Sequence, residues 1–99
     1  MVLGSMFLQP GERYDWDLDY ETWLAGDSIV EGSIVFTVFD DPATNLVISH
    51  EFEVPGRIKL WLEIDNAVVG TGLYKIEVTF VTTLTRQVED ELYVAMGEI

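Results

Sequence analysis

The sequence predicts an all-β protein, a two-layer antiparallel sandwich forming a single domain, and three observations carry that prediction. Six stretches place their apolar residues on every second position, and no comparable stretch has the spacing of an amphipathic helix. Turn signals recur about every 8–12 residues, the interval of a sandwich rather than of alternating strands and helices. In Arg57–Asp65, Ile58, Leu60, Leu62 and Ile64 alternate with mostly polar residues. A helix turns about 100° per residue and would spread that set around its circumference, whereas a strand turns about 180° and holds it on one face. With 99 residues, 48% of them hydrophobic, the chain has enough apolar surface for one such core.

Residues 1–12 read as an N-terminal arm preceding a sandwich of residues 13–99. The arm is apolar from Val2 to Leu8 and is broken at Gln9-Pro10-Gly11, so it either tucks into the core or docks on a neighbour. Deleting residues 1–8 is expected to leave the domain folded but to impair its assembly with neighbours. The first strand carries Trp16, Leu18 and Tyr20 on its inner face and runs into a half-buried turn at Glu21–Leu24. A second strand starts near Ser28, bulges at Glu31-Gly32 and continues through Ile34, Phe36 and Val38. Asp40–Asn45 has loop chemistry, and Leu46–Val54 is a strand ended by Pro55-Gly56. After Arg57–Asp65, a connection over 66–72 leads into the strand from Leu73 to Thr83. The last strand, roughly Glu89–Met96, places Leu92, Val94 and Met96 inward.

Charge narrows the function classes. Eighteen Asp and Glu stand against five Lys and Arg, a net charge of −13. Such a surface repels phosphate, so neither nucleic acid nor an anionic membrane is an expected partner. A basic protein partner or bound cations are favoured, the alternative being that the charge only keeps a half-apolar protein soluble. No stretch reaches the about 20 apolar residues of a membrane span, and the N-terminus lacks the basic flank of a signal peptide. With no cysteine, neither a disulfide framework nor a thiolate zinc site can form.

Reactive constellations are equally sparse. Asp15, Asp17, Asp19 and Glu21 could wrap a hard cation, but a calcium loop needs glycine at its sixth position and glutamate at its twelfth. Counting from Asp15, Tyr20 and Gly26 stand there. On a strand these carboxylates project to solvent. His50, the single histidine, shares the parity of Ile48 and Phe52 and reads as a core or edge residue. Glu89-Asp90-Glu91 reads as a solvated turn. No base, nucleophile and oxyanion donor can be assembled, so we expect no enzyme, no catalytic residue, no metal site and no cofactor.

The faces that should be wet are more informative. Val35, Phe39, Trp61, Val81 and Tyr93 lie on the polar parity of their strands. Together with Val2, Leu3, Phe7 and Leu8 of the arm they form the expected partner interface, the alternative being that loops cover both faces of some strands.

The order of several short motifs is similar to that of the fibre-tail adaptor proteins of tailed bacteriophages. Asp17-Leu18-Asp19-Tyr20-Glu21-Thr22-Trp23-Leu24 stands before an acidic turn. Leu60-Trp61-Leu62, Gly70-Thr71-Gly72, Tyr74-Lys75-Ile76, Thr82-Thr83 and Arg86 then follow in sequence, ahead of the closing Leu92/Val94/Met96 alternation. The closing strand is less basic than that pattern, and the turn after Thr83 lacks its glycine. The resemblance implies an immunoglobulin-like sandwich and a structural role in the virion. The implied partners are tail or connector proteins and a fibre or spike, met by several copies in a symmetric assembly. A capsid decoration or cement protein, and a carbohydrate- or peptide-binding module using Trp61 or Trp23, are the alternatives.

Overall fold

The computed structural model describes residues 1–9, 11–39, 46–64 and 72–96, with the side chains of Ile64, Gly72 and Met96 excepted. The expectations at 40–45 and 65–71, and for the side chains of Ile64 and Met96, lie outside the described residues. Among the described residues, seven strands run in the order β1 (Val2–Leu8), β2 (Arg13–Asp19), β3 (Val35–Phe39), β4 (Leu46–Glu53), β5 (Arg57–Ile64), β6 (Gly72–Val81) and β7 (Gln87–Met96). They form a four-stranded sheet, β1-β7-β6-β3, and a three-stranded sheet, β2-β5-β4. Every neighbouring pair is antiparallel except β1 and β7, which run parallel.

One apolar core lies between the sheets. Leu18, Ile58, Leu60 and Leu62 enter it from the smaller sheet, and Leu8, Ile76, Val78, Leu92 and Val94 from the larger. Ile58, Leu60 and Leu62 are each fully buried, as their alternation requires. Tyr20 meets the edge of Phe80 with ring centroids 4.9 Å apart, joining the end of β2 to β6.

Three elements differ from the sequence expectation. The stretch expected as an arm supplies β1, an edge strand whose Leu8 is fully buried and whose Leu3 and Met6 pack against the core. A bulge between Val2 and Gly4 breaks its alternation, which hides the strand from a period-two reading. Gly4 is where Trp16 crosses from the other sheet, its ring carbon only 2.8 Å from where a β-carbon would stand. The interruption at Glu31–Ser33 is a turn of 3₁₀-helix rather than a bulge, and Ile29 before it makes an isolated bridge to Thr82. Glu21–Leu24 closes into one helical turn, α1, ending at Ala25 in the left-handed conformation. α1 seats its buried Leu24 over Gly56, where any β-carbon would collide with the leucine side chain. Tyr20 and Ile29 anchor the same corner by donating backbone N–H bonds to Gly56 and Pro55, both 2.9 Å.

Candidate interaction surfaces

Five of the nine residues expected at an interface share the outer face of the four-stranded sheet. Cross-strand register puts Phe7 beside Ala95 and Ala95 beside Leu73, while the adjacent row runs Ser5, Tyr93, Lys75, Phe39. Phe7 and Phe39 are about half exposed and Leu73 more so. Lys75 ties this cluster together, its Nζ 5.4 Å from the centre of the Phe39 ring and 3.2 Å from Glu91. The Tyr93 hydroxyl donates to the same Glu91 carboxylate at 3.0 Å. These two bonds, Tyr93's foremost, hold the Glu91 carboxyl below its ordinary range, and the bond to Glu91 raises the Lys75 ammonium. The result is an apolar patch pinned by a short polar network at one end of the sheet.

The remaining expected residues are elsewhere. Val35 and Val81 share the outer face but lie toward its other end, beside Thr79 and Gln87. Val2 is exposed at the start of β1. Trp61 belongs to the outer face of the opposite sheet, where Arg13 stacks 4.2 Å from its ring centre. Leu8 corrects the expectation, since a fully buried residue offers nothing to a partner while β1 stays in place, and Leu3 is turned toward the core. Leu73 is the patch residue the sequence reading missed, although its parity, opposite to the inward Tyr74 and Ile76, marks it.

The acidic candidates resolve into structural roles. Asp15 and Asp19 project from β2 and are met by Lys59 at 3.6 Å and Arg57 at 3.9 Å. Among the described residues no three carboxylate or histidine side chains converge as metal ligands would. His50 sits exposed on edge strand β4, its ring 5.1 Å from that of Phe36. Glu89-Asp90-Glu91 is not a turn but part of β7, and Asp90 points inward, 5% exposed.

Buried Asp90 accepts a hydrogen bond from the Tyr20 hydroxyl at 2.8 Å, and the Met1 amino group lies 3.4 Å from its other oxygen. Burial, and then the bond and charge of Asp90, raise the Tyr20 phenol far above its ordinary value of 10.0. Below pH 10 the phenol is neutral in both folded and unfolded chains. Above it the unfolded chain ionises and the folded one resists, so stability is lost as pH rises. Tyr20→Phe should therefore lessen the loss of stability above pH 10, read from chemical denaturation at pH 8 and pH 11. An unchanged alkaline slope would remove this role from Tyr20.

A second polar cluster locks α1 to the β6–β7 turn. Asp27, only 3% exposed, accepts from the Ser28 N–H (2.8 Å), the Thr83 hydroxyl (2.7 Å) and the Leu84 N–H (3.1 Å) on one oxygen, and from Arg86 Nε (3.1 Å) on the other. Arg86 also donates to the Leu24 carbonyl at 2.8 Å and stacks 4.1 Å from the centre of Trp23. Trp23 and Arg86, far apart in sequence, thus belong to one structural unit.

Fold and surfaces together define a small all-β module with a covered core, networked corners and an exposed apolar patch. A family model described as Podophage GP4 fiber-tail adaptor protein gp77 matches residues 8–95, and the chain belongs to that family of phage structural proteins. No curated protein matches it. Among solved structures the chain is similar to part of an endo-fucoidan hydrolase from glycoside hydrolase family 107, with a TM-score of 0.53 and 14% identity over 99% of this chain and 13% of that one. It is also similar to part of a nucleoside hydrolase-related hypothetical protein from Saccharophagus degradans, with a TM-score of 0.52 and 12% identity over 94% of this chain and 21% of that one. The chain spans only a small part of either, and at these identities the likeness concerns the fold alone.

Proposed function

We propose that this protein is a non-catalytic adaptor of a phage virion, seated at the neck or tail and joining it to fibres or spikes. Family membership over residues 8–95 supports the adaptor role. The strand order, with the first strand parallel to the last in β1-β7-β6-β3 and β2-β5-β4 as the second layer, supports an immunoglobulin-like sandwich. The observation that carries the partner surface is the gathering of Phe7, Phe39, Leu73 and Tyr93 on one outer face. Such a patch gives a partner a desolvated anchor within a strongly acidic surround. Trp61 suits glycan stacking poorly, because Arg13 already occupies its ring.

The test is particle assembly with Phe39→Ser/Leu73→Ser protein. Both side chains are exposed, so its unfolding midpoint should match the parent while its incorporation into particles falls at least about tenfold, equivalent to 1.4 kcal/mol of anchor. Full incorporation of the folded variant would move the interface elsewhere. Copy number per particle separates this reading from a decoration protein: about six or twelve copies follow from cyclic or dihedral symmetry at a tail, against hundreds on a capsid.

A further inference from the structure

A recess lies at the other end of β7 from the apolar patch. It is a groove of about 380 Å³, walled by Met1, Leu3, Trp23 and Val88 and bordered by Asp19, Glu89 and Asp90, with the Met1 amino group already paired to Asp90. We infer that this groove receives a lysine or arginine side chain from a protein partner. The walls suit the aliphatic stem of such a side chain, and the Glu89 carboxylate suits its head.

Three observations favour a cation over a neutral apolar occupant. Asp90 is already answered by Tyr20 and the Met1 amino group, and Asp19 lies near Arg57. Among the described residues no cation lies within ion-pair distance of the Glu89 carboxylate, which stands exposed at the groove's rim. Trp23 is 44% exposed, and Arg86, which stacks on it, is not among the groove's lining residues, so the indole keeps surface facing the recess. The molecule itself sets guanidinium groups on indole twice, Arg86 on Trp23 and Arg13 on Trp61, at 4.1 and 4.2 Å. Such pairs are attractive wherever the cation is partly desolvated. A net charge of −13 draws basic partners toward the whole surface, but only this recess combines an exposed carboxylate outside any ion pair with an open indole wall among the surfaces described above.

On β7, Glu89 lies four positions from Tyr93 and six from Ala95, about 13 and 20 Å of strand. The groove and the apolar patch are thus distinct sites, and either can fail experimentally while the other stands. The test is a titration of the protein with Nα-acetyl-arginine amide at fixed ionic strength, following the three tryptophan indole N–H resonances by NMR. Nα-acetyl-citrulline amide, similar in shape but neutral, is run in parallel. The Trp23 resonance should shift saturably with the arginine probe and little with citrulline, while Trp61 moves little. Glu89→Gln should weaken the response about fivefold, the loss of one exposed charge-assisted contact. Glu89→Lys should abolish it. Equal shifts at all three indoles, equal binding of citrulline, or indifference to Glu89→Gln would each overturn the inference.

Discussion

Deletion of residues 1–8 is expected to abolish cooperative unfolding of the domain, contrary to what a separable arm would allow. The deletion removes a whole edge strand, six registered pairs with β7 and the core side chain of Leu8. It also uncovers Trp16, which packs over Gly4. Leu8→Ala alone should cost about 2–5 kcal/mol, the range for emptying a buried leucine site. A domain of this length holds about 5–15 kcal/mol in total, so losing the strand around Leu8 exceeds what it can sustain. The informative contrast is with the neighbouring residue. Phe7 faces outward, and Phe7→Ser should change stability by no more than about 0.5 kcal/mol. Urea denaturation of the two point variants, with thermal melts of the truncation, checks the set. Equal losses at positions 7 and 8, or a sharp native-like transition in the truncated chain, would remove β1 from the folding unit.

How much of this was legible beforehand depended on whether the signal was local. The alternation of Ile58, Leu60 and Leu62 fixes an inward face without reference to any other strand, and all three are buried. Wrong-parity residues were equally visible, but parity does not say which sheet a strand joins. Phe39 and Tyr93 therefore share one surface while Trp61 lies on the opposite one. β1 was hidden because its bulge breaks the period and its sheet partner among the described residues, β7, lies more than eighty residues away in sequence. Asp90 was hidden by its neighbours: three acids in a row read as solvent-facing, although the middle one has inward parity and Tyr20, seventy residues away, supplies its hydrogen bond. The groove beside Trp23 is a product of packing between β1, the end of β2, α1 and β7, and no single segment encodes it.

The same distance in sequence concealed Asp27, where the second large effect is expected. Asp27→Ala should lower the thermal midpoint by more than about 10 °C, because it strands several donors at once. The Thr83 hydroxyl, the Leu84 N–H and Arg86 Nε all lose their acceptor, and the turn carrying them is what α1 docks against. A buried carboxyl would ordinarily be raised by desolvation. Here the bonds from the Thr83 hydroxyl, the Ser28 N–H and Arg86 outweigh burial and hold Asp27 well below its ordinary value of 3.8. Because the folded value is depressed, the stabilising contribution is full above the unfolded value and is lost as pH falls below it. The parent protein should accordingly lose stability steeply below about pH 4, and Asp27→Asn, which cannot ionise, should show a shallower acid slope from a lower starting midpoint. Thermal melts from pH 7 to pH 2.5 on both proteins measure this directly. Parallel pH profiles would mean that some other carboxylate controls acid unfolding, and an unchanged midpoint in Asp27→Ala would mean that the β6–β7 turn holds α1 without its carboxylate.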